Sequence, residues 1–287
     1  MKLALEFPRF IKGVQTVVGM YFTDKVIRLL ELGKDRRPVS EPIEVNIEGR
    51  DRNMVLKEIV QKYGLTGKRV STCIPANDGL LKFYKYPTTM SKKDLLSAVE
   101  WSIKRELSAM REETYYDYFI LEPRPEDKQV GVVLVLSRKE TVDGINKMLE
   151  SAGLKLYVLD YEVVAIINYG LYHRLPIPFS ILYIDYNHSI LTTYSPANIS
   201  YYLTYWGFRE FMKNQDEESL RSFFAEIRNI VVLNDLSSIY VAGPILAEEE
   251  MLTRIMENLP ILGLLDLEGI NPIFFIPYTL SIRGMEE

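Results

Sequence analysis

Apolar and polar positions divide the chain into short apolar runs and longer amphipathic stretches. Val14–Met20 and Lys25–Leu32 are near-continuous apolar runs on either side of a Tyr21–Asp24 turn, the pattern of a buried strand pair. Glu41–Ile47 alternates apolar with polar and predicts a third strand. Asn53–Tyr63 sets Met54, Val55, Ile59 and Val60 at helical spacing, with Gly64 as its stop. Arg69–Ile74 predicts a buried strand ending at Pro75. Strands followed by a helix and another strand make an α/β opening.

A second unit begins near Ala76. Leu80–Tyr86 predicts a strand, and Ser91-Lys-Lys-Asp is a capping box for a helix over Asp94–Leu107, with Leu95, Val99, Ile103 and Leu107 on one stripe. Tyr115–Leu121 and Val130–Leu136 predict two strands around the polar turn Glu122–Gln129. Glu140–Ala152 predicts a helix closed by Gly153. Leu156–Asp160 predicts the last strand of this unit, and Tyr161–Tyr172 a helix returning to the first. Beyond Pro176 and Pro178, Ile181–Asp185 and Ile190–Tyr194 predict a hairpin, and Ile199–Tyr205 a further strand. Then follow a helix over Glu217–Leu233, a short strand over Ser238–Ala242, a helix over Ala247–Asn258, an apolar strand over Pro272–Pro277 and a short tail. The order hairpin, strand, helix, strand occurs twice, which predicts two similar halves around a cleft.

The totals narrow the function. At 287 residues the chain is long enough for about two domains. A net charge of −5 argues against nucleic acid as a ligand, because phosphate binding needs a surplus of Lys and Arg. One cysteine, Cys73, allows no intramolecular disulfide, and two isolated histidines, His173 and His188, argue against zinc. The sequence has no run of about 18 apolar residues, and its first ten residues place an acid and a proline where a signal peptide needs an apolar core. The expectation is a cytoplasmic protein.

Four segments carry a family resemblance. Gly19–Leu32 is in register with Gly-Ile-Asp-Ile-Gly, three small residues, then Val-Lys-Leu-x-Glu-Leu. Tyr86-Pro-Thr-Thr-Met-Ser-Lys-Lys-Asp-Leu-Leu-Ser-Ala-Val-Glu is similar to a Pro-x-Met turn and a Glu-Leu-x-x-Ala helix, followed by Tyr116-Asp117-Tyr118. Val133–Glu140 with Leu149–Asp160, and Leu182–Thr193, supply an apolar strand with Lys-Glu, an Ala-Gly-Leu segment, and a second phosphate loop of the Asp-Ile-Gly-x-x-x-Thr type. Together these segments resemble PilM, the type IV pilus assembly protein family related to the cell-division protein FtsA and to the type II secretion protein GspL.

The resemblance implies an α/β, actin-like (ribonuclease H-like) fold of two lobes with an inserted FtsA/PilM-type subdomain. Residues 1–75 with 161–178 would form the first actin-like subdomain, 76–160 the insertion, and 179–287 a second actin-like subdomain with a reduced nucleotide-covering part. It also implies a place at the inner face of the inner membrane, and a partner, the cytoplasmic N-terminal segment of a PilN-like protein, held between the insertion and the first subdomain. The nucleotide motifs depart from the family. Tyr21 stands where an acid belongs and Thr23 where a glycine belongs. The second loop keeps Asp185 but has Asn187 for glycine, and the adenosine loop reads Gly243-Pro244, losing a backbone donor. Thr23, Asp24, Asp185, Asn187 and Gly243 therefore mark a vestigial nucleotide site. The expectation is a scaffold with no cofactor and no ATP hydrolysis, the alternative an active actin-fold ATPase or sugar-kinase relative.

Several residues keep two readings. Asp185 is a surviving nucleotide ligand or a turn carboxylate bonded to nearby amides. His188 reads as a turn residue. The run Tyr194–Trp206 is a partner surface or inward packing. Leu81, Phe83, Tyr84, Trp101 and Arg105 are candidates for a peptide groove in the insertion, with Lys104 and Arg105 available to acids on the peptide, or else core and solvated helix face.

Overall fold

A computed structural model describes residues 16–123, 125 and 127–286. The predicted start of the first strand at Val14, the first ten residues and parts of the Glu122–Gln129 turn lie outside the described residues.

The elements follow the apolar pattern closely. Strands β1 (Val17–Phe22) and β2 (Val26–Leu32) are buried at every position, as near-continuous apolar runs require. Strand β3 (Ile43–Asn46) follows, then helix α1 (Arg52–Lys62), capped by the Asp51 carboxylate accepting from the Met54 amide, and strand β4 (Arg69–Ile74). The insertion holds β5 (Gly79–Pro87), α2 (Lys92–Ala109), β6 (Thr114–Ile120) and β7 (Gln129–Arg138). The Ser91 hydroxyl caps α2 by accepting from the Asp94 amide. Next come α3 (Lys139–Ser151), β8 (Lys155–Tyr161) and α4 (Glu162–Tyr172). The second half is built from β9 (Phe179–Ile184), β10 (Ser189–Ser195), β11 (Asn198–Thr204), α5 (Phe208–Asn214), α6 (Glu217–Leu233), β12 (Ile239–Ala242), α7 (Glu249–Asn258), β13 (Ile261–Leu264) and α8 (Phe275–Glu286).

The two halves share one topology. The first sheet runs β3-β2-β1-β4-β8 and the second β11-β10-β9-β12-β13. In each, the first three strands are antiparallel and the last two join in parallel. The helix that follows each fifth strand crosses between lobes: α4 packs on β9 and β10, and α8 on β1, β2 and β4, while α4 and α8 pack on each other. The third sheet, β5-β7-β6, is the insertion. Its β7 is buried from Val130 to Ser137, and alternation splits its residues between two cores. Val132, Leu134 and Leu136 meet Val99 and Ile103 of α2. Val133 and Val135 face the main core with Leu81.

Several expectations change. The predicted strand over Pro272–Pro277 and the tail are instead a short 3-10 turn, Pro272–Phe274, leading into α8. Residues 275–284 of α8 are all buried, so the helix has no polar face and its sequence lacks helical periodicity. Pro277 falls in its first turn, where no amide donor is needed. This helix lies on the first sheet, so the end of the chain packs with the first subdomain rather than within 179–287. The approach is close: a Cβ at Gly19 of β1 would sit 1.9 Å from the Pro277 carbonyl oxygen. Strand β8, assigned to the insertion, is the edge of the first sheet beside β4. Two short elements, α5 and β13, were not predicted, and Met54, placed on the apolar face of α1, is exposed.

Candidate functional site

The β1–β2 turn and the β9–β10 turn meet at the mouth of a cleft between the lobes. Its cavity is about 750 Å³, lined by Tyr21 to Asp24, the start of α1, residues 75–78, α3, Glu162, Asn187, His188, Leu203 and Tyr205. The first turn satisfies itself. The Thr23 hydroxyl accepts from the Lys25 and Val26 amides at 3.1 Å each, and the Thr23 amide donates to the Val26 carbonyl at 2.9 Å. Amides that would face a phosphate are thus bonded within the turn.

The second turn is tied from behind. Asp185 lies buried, and both of its oxygens contact the Arg28 guanidinium at 3.1–3.3 Å. The carboxylate also accepts from the Tyr183 hydroxyl at 2.9 Å and the Tyr186 amide at 2.7 Å. Arg28 sits in the middle of β2, fully buried, with its Nε 2.6 Å from Glu44 of β3. The Tyr186 ring flanks its guanidinium at 5.1 Å. Burial opposes the charge on each member of this pair. The Arg28 guanidinium nevertheless holds the Asp185 carboxyl below its usual value, and Asp185 holds Arg28 above its own.

A second buried network lies beside it. The Tyr21 hydroxyl donates to Glu162 at 2.8 Å, the Ala76 amide to the other Glu162 oxygen at 2.8 Å, and His188 Nε2 lies 3.0 Å from that carboxylate. Burial works against a charged His188, but Glu162 outweighs it and raises the imidazole pKa to about 9. Burial, with Glu162 next, pushes the Tyr21 phenol well up. The two networks join β1, β2, β3 and α4 of one half to the β9–β10 turn of the other.

The predicted nucleotide residues therefore separate. Thr23, Asp24 and Asn187 line the cleft, Asp185 lies behind it in the ion pair, and Gly243 is away from it. At Gly243, φ is +94° and a Cβ would meet the Tyr183 ring at 2.6 Å, so that ring occupies the space in front of the loop. The reading of His188 as a plain turn residue is corrected, since it is a member of the Glu162 network. Asp185 is a turn carboxylate and an ion-pair partner at once. Arg28, Glu44 and Glu162 were missed, and the signal for Arg28 was a lone cation inside an apolar strand. Burial pushes the Cys73 thiol up, which fits a core residue.

The predicted peptide groove is also divided. Leu81 is buried and Phe83 packs on the main core, whereas Tyr84 lies on the opposite face of the sheet under α2. Trp101 and Arg105 stand on the outer face of α2. These five residues line no common groove. In the tyrosine-rich run, Tyr194 is buried, Tyr202 donates to Glu226, and Trp206 stacks on Phe223 at 4.0 Å; Tyr205 alone is largely exposed. Among the described residues there is no group of three or more acidic, Cys or His side chains placed to hold a metal, and no helix long and apolar enough to cross a membrane.

Two sheets of one topology, crossed helices and paired turns at a shared cleft define an actin-fold protein. Among solved structures, the "PilM-PilN type IV pilus biogenesis complex" matches with a TM-score of 0.76 at 16% identity, over 96% of this chain and 100% of that one. A protein of Bacteroides thetaiotaomicron with an actin-like ATPase fold and unknown function matches at 0.53 and 10% identity, over 96% and 99%. The ethanolamine utilization protein EutJ of Carboxydothermus hydrogenoformans matches at 0.53 and 12%, over 95% and 91%. No curated protein sequence matches the chain. Residues 39–177 match the model of the type IV pilus assembly protein PilM.

Proposed function

We propose that this protein is a non-catalytic scaffold of a type IV pilus or related secretion platform, working at the cytoplasmic face of the inner membrane. It holds the cytoplasmic N-terminal segment of a PilN-like membrane protein in the cleft between the first subdomain and the insertion. The observation that carries this reading is that the first turn's amides are bonded within the turn and Asp185 is paired with Arg28, beside a cleft that stays open. Asp185, the one surviving acid of the nucleotide motifs, is neutralised by Arg28 and out of reach of a metal ion. Asp24, Asp51, Asp78, Glu140 and Glu162 line the cavity against Arg52 and His188, an acidic wall that repels a triphosphate. ATP and magnesium do not fit these residues, and no step of hydrolysis is assigned to them. The cavity suits a segment of a few residues, with Phe22, Ile145 and Met148 offering apolar contacts among polar groups. The likeness in fold to the PilM-PilN type IV pilus biogenesis complex points in the same direction.

Gly144 of α3 provides the test, because a Cβ there meets nothing within 4 Å and the residue lines the cleft. A labelled peptide copying the cytoplasmic N-terminus of a PilN-like membrane protein should bind the wild type. Gly144→Trp, filling the cavity from an open position, should abolish that binding without lowering the thermal midpoint. Equal binding by the variant would place the partner elsewhere.

A further inference from the structure

Helix α2 has an outer face that the cleft does not use. Val99, Ser102 and Ile103 point inward. Opposite them lie Lys93, Ser97, Trp101, Lys104, Arg105 and Ser108, all exposed. Trp101 keeps 62% of its surface in solvent, an unusual exposure for the costliest apolar ring to hydrate. The Arg105 guanidinium lies 5.1 Å from the Trp101 ring centroid and 5.8 Å from that of Tyr84, so the indole is backed by a cation. Acids stand among these cations: Glu106 accepts from the Tyr84 hydroxyl at 2.6 Å and pairs with Arg105 at 3.4 Å, Asp94 accepts from the Ser91 hydroxyl at 2.6 Å, and Glu100 is exposed beside Trp101. Among the described residues, Lys93 and Lys104 have no ion-pair partner. Helix α2 carries Lys92, Lys93, Lys104 and Arg105 against Asp94, Glu100 and Glu106, a small cationic excess on a chain of net charge −5.

Shape decides between occupants. Ser97 and Ser108 are small, one turn before and two turns after Trp101, so the indole stands above its neighbours. Peptides are held in grooves or on strand edges, and this face is a convex helix surface. A plane fits it better. Trp favours the water–lipid boundary, and Lys and Arg favour anionic headgroups. We propose that the outer face of α2 contacts an anionic phospholipid bilayer, with Trp101 entering the headgroup layer and Lys93, Lys104 and Arg105 pairing with lipid phosphates. The proposal stands on this surface alone and does not depend on a pilus partner. Each cation near such a surface raises partitioning about fivefold, so the contact is weak, reversible and suited to orienting a protein held by other means.

The full chain tests this directly, since it has two tryptophans and Trp206 is stacked on Phe223. Mixed phosphatidylglycerol–phosphatidylcholine vesicles at low salt should shift the tryptophan emission to the blue and sediment the protein, and pure phosphatidylcholine should do neither. Trp101→Phe should remove the shift. The double variant Lys93→Gln/Lys104→Gln should lower partitioning by about 25-fold, and salt should do the same for the wild type. Three results overturn the proposal: no sedimentation with anionic vesicles, binding that both variants retain at full strength, or an equal blue shift with poly-glutamate, which would assign the face to an acidic protein.

Discussion

Arg28 is a cation buried in the middle of a strand behind the cleft. It sits where a strand residue should be apolar, and its cost is met only because Asp185 and Glu44 face it. Removing one partner leaves the other charge buried. Arg28→Met should therefore lose about 3–5 kcal/mol in urea unfolding, and Arg28→Met/Asp185→Asn should recover most of it, because the buried carboxylate goes with the cation and Glu44 is partly exposed to water. A loss below about 1 kcal/mol for the single change would place the pair in solvent. His188 adds a pH signature. Its folded pKa of about 9 lies above the ordinary 6.5, so the folded state binds the proton more tightly. The stabilisation is whole below pH 6.5 and fades as pH rises through 9, on the order of 3 kcal/mol in all. Thermal midpoints across that interval should fall for the wild type and stay flatter for His188→Gln. Neither network was legible in the sequence. Arg28 and Asp185 stand 157 positions apart and Tyr21 and Glu162 141, and pairing at such separations leaves no local pattern. Tyr21 and Thr23 were readable as departures, because they fall inside a motif with a fixed spacing.

Elements whose apolar positions follow one clear period were readable, and those buried on all sides were not. Helix α6 begins at Glu217 and ends at Leu233 as its stripe predicts, and β4 spans Arg69–Ile74 as its run predicts. Helix α8 failed because an all-buried helix and a buried strand share the same apolar run. The position of β8 failed for another reason: sequence order places it after the insertion, and only pairing with β4 returns it to the first sheet. Short edge pieces such as β13 carry too few residues for a period. The packing of α8 gives a sharp test. Gly19→Ala would push a methyl into the Pro277 carbonyl, backbone against backbone, and should cost about 1–3 kcal/mol or more. Gly144→Ala, with open space around it in mid-helix α3, should instead gain about 0.5–1 kcal/mol. Urea midpoints moving in opposite directions for these two alanines would show that close approach, not loss of glycine, sets the sign.

Across the whole molecule, the duplicated topology accounts for both what the fold keeps and what it gives up. Two sheets related by the same strand order place two turns face to face, and α4 and α8 cross between them. In a nucleotide-driven clamshell, phosphates bridge those turns, so that closure depends on ligand. Here Arg28 with Asp185, and Tyr21 and His188 with Glu162, join the two halves beside those turns. On the proposed scaffold reading, nucleotide has no differential contact to make and no equilibrium to bias. A ligand present at a hundred times its Kd adds about 2.7 kcal/mol of stability, a rise of about 5–10 °C in the midpoint of a domain near this size. Millimolar Mg-ATP should leave the midpoint where it is, while a saturating partner peptide should raise it. Should Mg-ATP produce the larger rise, the bridges must open in solution, and the cleft would be a working nucleotide site rather than a fixed scaffold.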